Sequence, residues 1–210
     1  MKKLFLFATA TIMLCSANAS AQTLDVEALH GVCPSTAREV YGVSRYVKLD
    51  GAQQRALAAE FAKEDSCVIA MISDDGGVLT VKNGRRIEKM HDRTLADILS
   101  KEQLEQYYRG VFDKEADAEG TGIANKLQKK YNLTDQNWKF IRVAFYKIAL
   151  ESRVINKIMA DKPALAKKMI EKLRAEQIAT IEAKGGIRVN PEGTKVTVVK
   201  QFDPDRLHRE

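Results

Sequence analysis

Apolar residues recur at helical spacing over much of the second half of the chain. They include Ile141, Phe145, Ile148, Ile155 and Met159. With Thr134 or Asp135 as the capping residue, this spacing predicts a long helix that ends at about Met159. Pro163 suits the first turn of a final helix, which a Gly-Gly pair at 185–186 is expected to end. The second half of the chain is therefore predicted to be helical.

Capping residues predict two further helices. Asp50 is suited to cap a helix over residues 52–63. Ser100, followed three residues later by a glutamine, forms a capping box that opens a helix to about residue 118. Gly120 and Gly122 are expected to interrupt that helix before the chain continues.

Three short segments are candidates for β-structure. The apolar run 67–72 is compatible with either helix or buried strand. Residues 78–81 are β-prone, and the Asn83-Gly84 pair that follows is a strong turn signal, so a hairpin over 78–88 is predicted. The β-prone runs 187–190 and 195–200 flank a Pro-Glu-Gly turn and predict a second hairpin.

These patterns together predict a mainly α protein, built as a helical bundle or as helical hairpins with one or two small β-hairpins. An α+β fold is the alternative. We divide the chain into a mixed helical and hairpin region at 22–92, a helical region at 93–186, and a C-terminal hairpin and tail at 187–210.

The first 21 residues are predicted to be a signal peptide. Lys2 and Lys3 precede an apolar stretch over residues 4–14, and Ala19 and Ala21 are small residues suited to cleavage before Gln22. We therefore expect residues 1–21 to be removed on export. The destination is the periplasm in a bacterium with two membranes and the exterior otherwise.

Two cysteines follow the predicted signal peptide. Export favours disulfides, so Cys33 and Cys67 are predicted to form one bridge, with a free thiol pair or a metal-binding pair as the alternative. His30 lies three residues before Cys33, but no second pair of ligands accompanies it.

Composition and motifs favour a binding protein over an enzyme. The 34 basic and 28 acidic side chains are close to balance, so nucleic acid is not an expected partner. The chain contains no phosphate-binding glycine loop, no G-x-S-x-G sequence and no H-E-x-x-H sequence. No cofactor, metal ion or catalytic residue is therefore predicted.

The most basic part of the chain is the segment 153–174, with seven basic and two acidic side chains. It could face anionic lipid, acidic polypeptide or polyanionic glycan, or it could be an ordinary solvated surface. The adjacent aromatic pairs 107–108 and 145–146 each point to more than one helix face, so one member of each could line a groove. The candidate binding face comprises Arg153, Lys157, Lys167, Lys168, Lys172, Arg174, Tyr108 and Tyr146.

Three predicted helix starts are similar to one another: Leu49-Asp-Gly-Ala-Gln53, Leu99-Ser-Lys-Glu-Gln103 and Leu133-Thr-Asp-Gln-Asn137. Each has a leucine, a capping residue, and Gln or Asn at the fifth position. A phenylalanine, at 61, 112 and 145, follows three turns later, where it is expected on the buried side. The alternative is that there is no repeat, because any amphipathic helix with an N-terminal cap can show this pattern.

These starts resemble the LTxxQ motif of the Spy-type periplasmic stress chaperones. The first two copies replace Thr by Asp50 or Ser100, and the third keeps Leu-Thr but moves Gln one place early. The resemblance implies a small helical holdase that binds unfolded clients on a concave face without ATP. The predicted hairpins depart from that all-helical family.

The expected function is that of an exported, non-enzymatic envelope protein that binds polypeptide or another envelope component through helical faces. The alternative is a lipid-binding or small-ligand-binding protein, and an enzyme of unrecognised type comes third. Unfolded or envelope proteins and an anionic lipid surface are the candidate partners. The oligomeric state is not predicted.

Overall fold

The computed structural model describes residues 24–74 and 76–199. The predicted signal peptide and the last part of the predicted C-terminal tail lie outside these residues. The described part of the chain forms six helices and one two-stranded sheet, which confirms the mainly α fold. The elements are α1 (Pro34–Ser44), α2 (Gly51–Asp74), α3 (Val81–Ile98), α4 (Lys101–Tyr131), α5 (Asp135–Ile158), α6 (Pro163–Gly185), β1 (Ile187–Val189) and β2 (Val196–Val198).

The N-terminal helices α1, α2 and α3 enclose one apolar core. Leu57 and Phe61 of α2 are fully buried there against Val40 of α1 and Leu95 of α3. The ring of Phe61 also stacks on His91, 5.0 Å between centroids. Since α3 begins before residue 92 and ends after it, the helix crosses the boundary predicted between the first two regions.

The long helices α4 and α5 form a helical hairpin whose core is closed by α6 and the small sheet. Ile141 and Phe145 of α5 are buried with Ile181 of α6 and with Ile187 and Val189 of β1. A further cluster lies between α4 and α5 near Tyr108, and the partly buried Leu104 and Tyr107 pack against both it and the N-terminal core. The predicted α5 and α6 helices are confirmed.

The hairpin predicted at 78–88 is wrong, because most of that segment belongs to α3. Thr80 caps the helix: its hydroxyl accepts from the backbone N–H of Asn83 at 3.2 Å, and its carbonyl accepts from the N–H of Gly84 at 2.8 Å. The turn lies earlier, at Gly76 and Gly77, which have φ of 70° and 87°. The apolar run 67–72 is helical, as part of α2. The predicted hairpin at the C-terminus is confirmed, with Arg188 opposite Thr197 in an antiparallel register.

Helix α4 is not interrupted at Gly120 or Gly122. At Gly120 the backbone of α5 approaches closely, and a Cβ added there would lie 2.7 Å from both the carbonyl oxygen of Arg142 and the backbone nitrogen of Tyr146. Nothing lies within 4 Å of a Cβ added at Gly122. Gly120 is therefore a point of close helix packing rather than a helix break.

The first two copies of the repeated helix start meet in the structure. The side-chain nitrogen of Gln53 lies 2.8 Å from the side-chain oxygen of Gln103, and the reverse pair lies 3.1 Å apart. Gln103 also donates to the carbonyl of Lys48 at 2.7 Å, and Gln53 to that of Ile98 at 3.3 Å. The accepting carbonyls belong to the residues just before Leu49 and Leu99, so the two starts make reciprocal contacts.

The third copy stands apart from this pair. Thr134 caps α5 through the N–H of Asn137 at 3.2 Å, but Asn137 lies beside Gly185 at the end of α6. The phenylalanines of the first and third copies, Phe61 and Phe145, are buried as predicted, and Phe112 is partly buried.

The predicted Cys33–Cys67 bridge is not formed, since both cysteines are free and exposed. Helix α1 approaches α2 through Thr36, whose hydroxyl lies 3.4 Å from the Asp65 carboxylate. Cys67 is two residues further along α2, about 200° around the helix axis, and so points away from that contact.

Candidate functional site

Two of the predicted basic residues hold the helices together. Lys157 contacts Glu88 at 2.5 Å and Asp92 at 2.7 Å, so it connects α5 to α3. Burial lowers the pKa of Lys157, but the hydrogen bonds with Asp92 and Glu88 outweigh burial, and its pKa is raised overall. An ammonium group fixed in this way is a structural contact and not a free contact for a ligand.

Arg153 also makes contacts between helices. Its guanidinium lies 3.2 Å from Glu115 and 2.8 Å from Glu119, and its Nη1 donates to the carbonyl of Ala149 at 3.1 Å. It therefore connects α5 to α4.

The two predicted aromatic residues also make internal contacts. Tyr108 is 3% exposed, and its hydroxyl donates to Asp92 at 2.7 Å. Burial and this hydrogen bond raise its pKa. Tyr146 is half-buried and donates to Asp113 at 2.6 Å, and burial together with that contact raises its pKa to about 12. Tyr108 is therefore a core residue and not part of an accessible face.

The remaining predicted basic residues lie on the exposed part of α6. Lys167 and Lys172 approach Glu171 and Glu176 one turn further on, at 3.9 Å and 3.8 Å, while Lys168 and Arg174 are also exposed. The structure thus separates the predicted face into interhelical contacts on α4 and α5 and solvated charges on α6.

A groove of about 650 Å³ lies where the α3–α4 turn faces the α5–α6 turn. Its apolar lining includes Leu104, Val154, Ile155, Ile158, Met159 and Met169. Met169 is 43% exposed although it lies in this lining. Methionine is flexible and polarizable, which suits a surface that must fit varied apolar side chains.

Local sequence signals build both ends of the groove. At one end, Ser100 and Gln103 form the predicted capping box, with the Ser100 N–H donating to the Gln103 side chain at 2.9 Å. This start of α4 places Leu104 in the lining of the groove, where the buried Leu99 also lies. At the other end the N–H of Lys162 donates to the carbonyl of Met159 at 2.8 Å, and Pro163 begins α6.

The rim of the groove carries charges of both signs. They are Lys101, Glu105, Arg109, Glu151, Asp161 and Lys162. Arg109 and Glu151 form an ion pair across α4 and α5, so part of the rim is fixed. Because the rim carries both signs of charge, it offers no uniformly charged site for the head group of one kind of lipid.

A second apolar groove of about 580 Å³ lies between α6 and the C-terminal hairpin. Ile178 of α6 and Val189 of β1 lie in its lining, and Arg188 at its edge is held by Glu182 at 2.6 Å. It is less enclosed by helices than the first groove and lies beside a short sheet.

The apolar periodicity predicts that Ile155 and Met159 belong to one helix, but it does not predict that they line a groove. Their accessibility depends on the Met159–Lys162 turn and on the α3–α4 turn. These two turns are far apart in the sequence, so no local pattern shows that they lie opposite each other. The one available signal was the number of apolar residues on α6, including Leu165 and Met169, which exceeds what one packed face needs.

Among residues 24–74 and 76–199, no three His, Cys, Asp or Glu side chains lie close enough together to hold a metal ion. No described helix is both long and apolar enough to cross a membrane. Comparisons with protein families, with curated proteins and with solved structures give no match.

Proposed function

We propose that this chain is an exported, chaperone-like binding protein that holds apolar segments of unfolded or envelope polypeptides in the groove between the α3–α4 and α5–α6 turns. The observation that carries the proposal is the half-exposed Met169 at the open side of a floor of Leu, Val, Ile and Met side chains. The resemblance of the helix starts to the LTxxQ motif points to the same function.

The charge of the rim favours a polypeptide over a lipid. Polypeptide segments present apolar side chains between charges of both signs, and the rim offers Lys101 and Lys162 as well as Glu105 and Asp161. An anionic lipid would meet these carboxylates at the mouth of the groove. Non-specific apolar contact also requires no ATP, since binding follows from removal of apolar surface from water.

The test is suppression of aggregation of urea-unfolded malate dehydrogenase by the chain from residue 22 onward, without ATP. Because the floor is apolar, we expect suppression to persist when salt is raised from about 50 mM to about 500 mM, where surface charges are screened. Met169→Glu places a charge in the floor and is expected to abolish most of the suppression.

The matched control is Val143→Glu, which introduces the same charge at a position 46% exposed on α5, outside the groove. It should suppress aggregation as the unchanged chain does. Suppression that is lost at high salt, or equally reduced by both variants, would place client binding elsewhere on the surface. No suppression by the unchanged chain would reject the function.

A further inference from the structure

Helix α3 carries a row of cationic side chains on one face. Lys82, Arg85, Arg86 and Lys89 are spaced at i, i+3, i+4 and i+7, so all four lie on one side of the helix. All are exposed, and none makes an ion pair with another residue of 24–74 or 76–199. We call these four residues the α3 cationic face.

The acidic residues of α3 do not neutralise this face. Glu88 and Asp92 contact Lys157 of α5, at 2.5 Å and 2.7 Å, and Asp97 lies 3.7 Å from Arg93 near the other end of the helix. Beyond the helix, Asp74 is the acidic residue with which α2 ends, eight residues before Lys82.

Exposed apolar side chains adjoin the N-terminal end of the face. Val78, Leu79 and Val81 are 63%, 54% and 75% exposed, and Ile69 in the last turns of α2 is 66% exposed. We call these four residues the apolar tip. Several exposed large apolar side chains gathered at one end of a molecule mark an interaction site rather than ordinary surface.

We propose that the α2–α3 tip docks on an anionic membrane surface, with the apolar tip entering the interface and the α3 cationic face contacting lipid phosphates. Apolar residues beside a row of Lys and Arg are the combination that lies at a charged lipid interface. This role is separate from the groove and does not depend on the proposed polypeptide binding.

The charges favour a membrane over the other occupants of such a surface. A second copy paired symmetrically through the tip would bring four cations against four cations. An acidic polypeptide would satisfy the α3 cationic face but would leave Leu79 and Val81 in water. Only a surface with both anionic groups and an apolar layer covers both parts.

The experiment is flotation of the chain from residue 22 onward with vesicles of phosphatidylcholine alone, or with about a third phosphatidylglycerol. We expect binding to the anionic vesicles at about 50 mM salt and its loss at about 500 mM, because salt screens the contacts. The combined change K82Q, R85Q, R86Q and K89Q should weaken binding at least about 100-fold.

The matched control removes four charges from α6 by K167Q, K168Q, K172Q and R174Q, and should retain binding. L79S with V81S should weaken binding without any change of charge. Asp74→Asn removes a repulsive carboxylate at the end of α2 and should strengthen binding. All these positions are exposed, and unchanged circular dichroism and thermal unfolding would show that each variant is folded.

Absence of flotation with anionic vesicles at low salt would overturn the proposal. So would equal loss in the α3 and α6 variants, which would reduce the effect to net charge. If poly-glutamate binds the chain and L79S with V81S changes nothing, the α3 cationic face takes acidic polypeptide and the membrane assignment is wrong. Malate dehydrogenase suppression is independent of each of these outcomes.

Discussion

The thiol of Cys33 lies at the N-terminus of α1, where the chain offers several hydrogen bonds to a thiolate. The Ser35 hydroxyl lies 3.2 Å from the sulfur, and this contact is the main cause that lowers the pKa of Cys33. Hydrogen bonds from the backbone N–H groups of Ser35 and Thr36 lower that pKa further. A lowered pKa means a larger thiolate fraction near neutral pH and faster alkylation.

We expect Ser35→Ala to raise the pKa of Cys33 and slow its alkylation by iodoacetamide severalfold at about pH 7.5. At about pH 10 the thiol is ionised in both forms, so the difference should vanish. Peptide mass spectrometry without reductant measures the rates, and Cys67 in the same sample is the internal control. Cysteines that resist alkylation in denaturant without reductant would restore the predicted bridge.

At the scale of single elements, the close packing of α4 and α5 depends on Gly120. An added methyl group would meet backbone atoms at 2.7 Å, and backbone cannot rotate away as a side chain can. Gly120→Ala should therefore lower the free energy of unfolding by about 2–3 kcal/mol. Chemical denaturation measures this change.

Gly122 provides the control two residues away, in the same helix but in open space. Gly122→Ala should raise the free energy of unfolding by about 0.5–1 kcal/mol, because alanine restricts the unfolded chain and favours helix. Similar effects of the two substitutions would mean that α4 and α5 do not cross at Gly120.

Gly84 distinguishes the helix α3 from the hairpin predicted at 78–88. In a helix with nothing within 4 Å of the added Cβ, Gly84→Ala should stabilise the protein by about 0.5–1 kcal/mol. In an Asn-Gly hairpin turn the same position requires positive φ, and alanine would destabilise it. Urea denaturation of the single variant separates these outcomes by sign.

Elements fixed by local contacts are predictable from the sequence, and those fixed by distant contacts are not. The cap at Ser100 is confirmed, and of the two candidates Thr134 and Asp135 the structure has Thr134, because a cap bonds to residues three positions away and can be recognised locally. Around Asn83 two local signals compete, a turn pair and a cap at Thr80. The choice is made by distant contacts of α3 with α2, such as the stacking of Phe61 on His91 and the bond of Thr94 to Glu64.

At the scale of the whole molecule, the candidate site was beyond prediction for the same reason. The repeated helix starts were visible in the sequence, but their meeting through Gln53 and Gln103 was not, since the two glutamines are fifty residues apart. That contact fixes the α3–α4 turn, which forms one side of the groove. The other side depends on Met159–Lys162, and only the fold brings the two together.

Two residues of the basic segment 153–174 have a structural role at the groove, which differs from the predicted role in binding. Arg153 and Lys157 hold α5 against α4 and α3, and so keep the α5–α6 turn opposite the α3–α4 turn. These charges position the groove instead of contacting a client.

The most direct test of client binding in the groove is site-specific photo-crosslinking. A benzoylphenylalanine replaces Met169 in the groove or, in the control chain, Val143 outside it, and each chain is irradiated with urea-unfolded malate dehydrogenase. We predict a crosslinked product from position 169 and little or none from position 143. Equal crosslinking at both positions, or none at 169 under conditions where aggregation is suppressed, would contradict the account.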